Sequence, residues 1–132
     1  MYYPATRLLA VVGAVSTLAL MVGAARPWGD NYAYQGLWGY ASLLLLAIWV
    51  ALPYLLLCII AKSAVPFQTK EIIVLIGALI IFVGGMAVFV DAIWLHPDPQ
   101  SGLAFLAVPL YQMIVVGLLK GLEWVVGKNP VP

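Results

Sequence analysis

Residues 72–95 read IIVLIGALIIFVGGMAVFVDAIWL, an apolar run carrying one charge, Asp91, close to its end. A helix needs about 20 consecutive apolar residues to cross the roughly 30 Å hydrocarbon core of a bilayer. Hydrocarbon offers a bare backbone no hydrogen-bond partner, so such a run is stable there only as a helix that satisfies its own amides. Three similar runs accompany it, at 8–25, 37–61 and 102–119, the last extending as an interfacial turn to 126. The pattern predicts an all-α integral membrane protein: four transmembrane helices in a compact bundle, one membrane domain over residues 1–132.

Composition supports the same class. The chain is 65% hydrophobic and 8% charged, with a mean hydropathy of +1.09, too little polar surface for a soluble domain. A net charge of +1 and no long basic run argue against a nucleic-acid partner. Cys58 is the single cysteine, which excludes an internal disulfide, a thiol-pair redox site and a cysteine-rich metal site. The first run follows Arg7 and ends in Gly23, Ala24 and Ala25, features shared with a secretory signal. Its near-spanning length, and its place in a series of four, mark it as a retained helix.

Loops and breakers separate the runs. Arg26-Pro27 ends the first, and Pro53 is expected to kink the second, since proline removes a ladder hydrogen bond. Thr69 is a candidate cap for the third helix, and Asp98-Pro99 for the fourth. Five of the six basic residues, Arg7, Lys62, Lys70, Lys120 and Lys128, fall on the side of the chain termini, and only Arg26 falls on the other. Under the positive-inside rule both termini are cytoplasmic. Trp28, Tyr32, Tyr34, Trp38, Tyr40 and Trp94 then form an outer aromatic belt. Its first loop, with Trp28, Asp30, Tyr32, Tyr34 and Trp38, is either anchorage or a docking surface.

Helices in lipid gain little by hiding leucine, so their contacts are marked by small residues. Ala10, Gly13, Ala14 and Thr17 lie on one face of the first run. Gly77, Gly84 and Asp91 follow at seven-residue steps, which would place all three on one packed face of the third. Gly117 and Gly121 form a GxxxG pattern in the fourth.

Few polar residues remain as candidate chemistry. Asp91, roughly 6 Å inside the outer boundary at the helical rise, reads as a bundle-facing carboxylate. It is either a structural partner for Arg26 or a tyrosine, or a proton- or cation-binding acid. Gln112, at mid-depth, is expected to hydrogen-bond a neighbouring helix. Pro109 frees the Phe105 carbonyl, which would line any polar cavity. Lys120 and Glu123 are spaced to pair on a helix surface. His96-Pro97-Asp98-Pro99 reads as a rigid capped turn and not as a metal or hydrolase site, because the ligand count is low and no third group orients the base. Neither metal nor cofactor is expected.

Known four-helix membrane families with defining residues do not fit. The first run has no acid for a small multidrug exporter, there are no cysteine pairs for a thiol oxidoreductase, and no histidine pairs for a b-type cytochrome. Ser101-Gly102-Leu103-Ala104-Phe105 and Pro109-Leu110-Tyr111-Gln112 resemble a stretch in small uncharacterised bacterial membrane proteins, which implies a bacterial inner membrane and no particular activity. The size and topology are also similar to those of four-helix toxin-immunity proteins. The expected function is non-catalytic: protein–protein contacts in the bilayer, as an accessory subunit or an immunity protein, with another membrane protein or itself as partner. The alternative is an oligomeric channel or proton-coupled transporter built on Asp91 and Gln112.

Overall fold

The computed structural model describes residues 3–26, 36–63, 68–96 and 101–128. Four long helices dominate: α1 (Tyr3–Ala25), α2 (Leu37–Ser63), α3 (Gln68–Val90) and α4 (Ala104–Lys128). A π-helical turn at Asp91–Leu95 extends α3, and a 3-10 turn at Ser101–Leu103 leads into α4. Each of the four contains a stretch long and apolar enough to cross a membrane: Pro4–Ala25, Leu37–Ala61, Glu71–Leu95 and Ala104–Val126.

Boundaries differ from expectation at three places. α1 starts before Arg7, with Pro4 in the first turn, where a missing amide hydrogen costs no ladder bond. α3 starts at Gln68, so Thr69 lies inside the helix and not at its cap. The extension expected after Leu119 continues as part of α4 itself. α4 runs unbroken to Lys128, supported by a Lys120–Glu123 ion pair one turn apart. The Asp98-Pro99 cap lies outside the described residues.

Packing order differs from chain order. α1 packs on α2 and α3, and α4 packs on the same two, while α2 and α3 barely meet. The helices therefore stand around the bundle axis in the order α1, α2, α4, α3. α2 and α4 run in the same direction, because the bonded pairs Trp49–Leu106 and Tyr54–Gln112 advance together along both. Two apolar clusters fill the interior, each drawing on all four helices. One includes Ala10, Leu57, Ala78 and Leu119, and the other Met21, Val50, Phe89 and Phe105. In the second, the rings of Phe89 and Phe105 stack at 5.0 Å between centroids.

The exterior is apolar, with Leu8, Val15, Leu45, Ile59, Ile80 and Leu118 all exposed, while Thr17 and Gln112 are buried. That inverts the soluble arrangement and suits a hydrocarbon surround.

The glycines divide. At Gly13 a Cβ would collide with the Tyr54 ring, and at Gly77 with the Leu119 side chain. Gly84, Gly117 and Gly121 have open space around them, so their expected packing roles do not hold within the chain. On α3 the buried positions are Glu71, Val74, Gly77, Ala78, Ile81, Gly85 and Phe89, mostly three or four residues apart, as one face of a helix requires. Besides Gly77, the packed glycine of α3 is Gly85, seven residues after the buried Ala78, and it meets Gln112, while Gly84 and Asp91 are exposed.

Candidate functional site

One hydrogen-bonded network ties all four helices together near their middles. Thr17 Oγ1 on α1 donates to the Tyr54 hydroxyl on α2 at 3.3 Å. Gln112 Nε2 on α4 donates to the same hydroxyl at 3.1 Å. It also donates to the Ile81 carbonyl on α3 at 3.1 Å. A carbonyl has two lone pairs, so Ile81 accepts this bond beside its own ladder bond. Two glycines make the approach sterically feasible: Gly13 clears the Tyr54 ring, and Gly85 clears the Gln112 amide.

Two buried prolines flank the network. Pro53 directly precedes Tyr54, and Pro109 lies one turn before Gln112. Close by, the Trp49 indole N–H donates to the Leu106 carbonyl at 3.2 Å. Phe105 is buried against Phe89, and the concavity beside it is almost wholly apolar.

That concavity is a groove of about 350 Å³ between α3 and α4. Gly84, Gly85, Ala104 and Ala107 leave the space, Tyr111 stands at its edge, and Gln112 lies in its wall. Gln112 is only 4% exposed, and its Oε1 has no hydrogen-bond partner. Tyr111 is the opposite case, 69% exposed, with no hydrogen bond from its hydroxyl among the described residues.

Asp91 does not enter the bundle. It opens the π-helical turn, whose closing bond runs from the His96 N–H to the Asp91 carbonyl at 2.8 Å. The His96 ring Nδ1 stands 2.8 Å from Asp91 Oδ1, with both side chains largely exposed. Asp91 therefore pairs with His96 instead of Arg26, and it is not joined to Gln112. Arg26 ends α1 in a left-handed conformation (φ 43°). Its N–H bonds to the Val22 carbonyl at 3.0 Å, closing the last turn.

At the far end of the bundle Lys120 Nζ lies 2.9 Å from Glu123 Oε2, a carboxylate that is nearly buried while the ammonium is half exposed. Glu71 and Thr6 are also buried at that end. Trp38 is exposed in the first turn of α2, whereas Trp28, Asp30, Tyr32 and Tyr34 lie outside the described residues. Among the described residues no group of three metal-ligating side chains comes together.

The sequence marks Gln112 as a polar residue at mid-depth and places Thr17 on the small-residue face of α1, but Tyr54 and Trp49 carry no such mark. Their signal was position. An aromatic with a polar tip in mid-run, far from either interfacial belt, needs a partner inside the bundle. Comparison with protein-family models, curated proteins and solved structures finds no match to this chain.

Proposed function

We propose that this chain is a non-catalytic polytopic membrane protein that works through protein–protein contacts within the bilayer, as an accessory subunit of a membrane complex or an immunity protein. In this reading both termini face the cytoplasm and the membrane is a bacterial inner membrane. The observation that carries it is the fate of the mid-depth polar groups. Thr17, Tyr54 and Gln112 are used to join the helices to one another. The α3–α4 groove is apolar and lies on the outer surface. Transport needs a polar path with a group that exchanges a proton or holds an ion. Asp91 and Gln112 are not brought together to make one, which disfavours the channel or transporter alternative. A lateral groove walled by small residues is instead the form that admits another helix.

Two measurements test this. Purified protein in liposomes under an imposed proton gradient should give no flux above empty vesicles, and Asp91→Asn should leave its cellular function intact. A photo-crosslinking residue at Ala107, in the groove, should capture a discrete protein in host membranes, while one at Ile48 on the outer face of α2 should not. Proton flux from the protein alone, lost in Asp91→Asn, would overturn the proposal.

A further inference from the structure

We infer that the α3–α4 groove is filled by a second copy of this chain, in a two-fold dimer where Tyr111 of each copy donates its hydroxyl proton to Gln112 Oε1 of the other. This deepens the contact-based reading above and rests on it.

Two adjacent residues carry complementary deficits. Gln112 Oε1 is an acceptor with no donor, in a side chain that is otherwise fully engaged and lies in the groove wall. Tyr111 is a donor with no acceptor, exposed at the edge of the same groove. Tyr111 lies about 10 Å along the helix from the start of the α4 span, at the rise of 1.5 Å per residue, too deep for its hydroxyl to rest at the headgroup level. In hydrocarbon neither deficit is made good by water. One chain cannot join them, because the Tyr111 ring projects away from the bundle while Gln112 points inward.

Symmetry joins them. A two-fold axis along the membrane normal keeps equivalent residues at equal depth, so Tyr111 of one copy and Gln112 of the other differ by one helical rise. An isologous contact forms the bond twice. Gln112 forms part of the groove wall, so the incoming hydroxyl approaches Oε1 from that side while Nε2 keeps its bonds to Tyr54 and Ile81. The groove wall suits such an approach. Gly84, Gly85, Ala104 and Ala107 let a second α4 come close. No charged side chain lines the groove, so the copies bring no like charges together. A phospholipid does not meet these requirements, since its polar groups stay at the interface.

The test uses full-length protein in lipid vesicles with Cys58→Ala as background. Ala107→Cys, oxidised in the membrane, should yield a covalent dimer, and Val15→Cys on the outer face of α1 should not. Energy transfer between labelled copies, followed on dilution with lipid, should show Tyr111→Phe weakening association about eightfold, roughly threefold for each symmetric bond. Tyr111 is exposed, so this variant keeps its fold, which helical circular dichroism checks. A protein that stays monomeric at all lipid ratios overturns the inference, as does equal crosslinking from Val15→Cys. Unchanged association in Tyr111→Phe overturns the assigned hydrogen bond. A monomer whose groove still captures a host protein refutes self-association alone, whereas Asp91-dependent flux refutes the reading beneath it.

Discussion

Tyr54→Phe removes one oxygen from the centre of the bundle and leaves the shape of the side chain unchanged. The hydroxyl accepts from Thr17 and from Gln112, so the variant loses two interhelical hydrogen bonds and strands two donors among apolar groups. Such bonds in membrane proteins average about 0.6 kcal/mol and reach about 1.7. The expected destabilisation is therefore about 1–3 kcal/mol, a five- to 150-fold shift toward unfolding. Gln112→Met makes an instructive contrast. It also removes two bonds, from Gln112 Nε2 to Tyr54 and Ile81, but it deletes the unpartnered Oε1 as well. Relieving a buried unsatisfied acceptor is worth about 1–3 kcal/mol, which offsets most of the loss, and methionine keeps nearly the same volume. Unfolding free energies of the monomer, measured at high dilution in mixed micelles, should rank Tyr54→Phe as clearly more damaging than Gln112→Met. The opposite ranking by more than about 1 kcal/mol, or a Tyr54→Phe protein as stable as the parent, would refute the view that the tyrosine hydroxyl is the hub of the network.

Gly77→Leu and Gly13→Leu should each destabilise by about 1–3 kcal/mol through overpacking against Leu119 and Tyr54, while Gly84→Leu, placed in open space, should stay within about 0.5 kcal/mol of the parent in the same unfolding assay. Trp49→Phe should cost about 0.6 kcal/mol by releasing the Leu106 carbonyl. Lys120→Met should destabilise more than Glu123→Gln, because it strands a nearly buried carboxylate without its cation, whereas the amide removes the charge itself. Reporter fusions after Gly29, Gln68, Gln100 and the C-terminus should alternate between outer and inner signals, and an outer C-terminus would reverse the assigned orientation.

Glycine spacing shows where a local reading stops. A seven-residue repeat through Gly77, Gly84 and Asp91 presumes that α3 winds around its neighbours at 3.5 residues per turn. The buried face instead continues from Ala78 to Gly85 and Phe89, so the seven-residue steps from Gly77 lead to the exposed Gly84 and Asp91. Asp91 lies outside the bundle and meets His96 across a π-helical turn. That turn comes from an i to i+5 bond that no residue type announces. Gln112 was legible as a group needing a partner, because an amide at that depth has no solvent to bond. Its partner was not legible, since choosing Tyr54 over another donor or acceptor depends on which helices are neighbours.

Helix number, approximate span ends and the near absence of charge at mid-depth are properties of the sequence alone. They follow from a rule that acts on each segment independently: a backbone in an apolar surround must bond to itself. Whether α4 lies beside α1 or beside α2, which glycine is packed, and which polar atoms find each other depend on distances between segments. Those distances are set by the fit of side chains across four helices at once. Tertiary structure therefore decided the order α1, α2, α4, α3, the network from Thr17 through Tyr54 to Gln112 and Ile81, and the buried Gln112 Oε1 left without a donor.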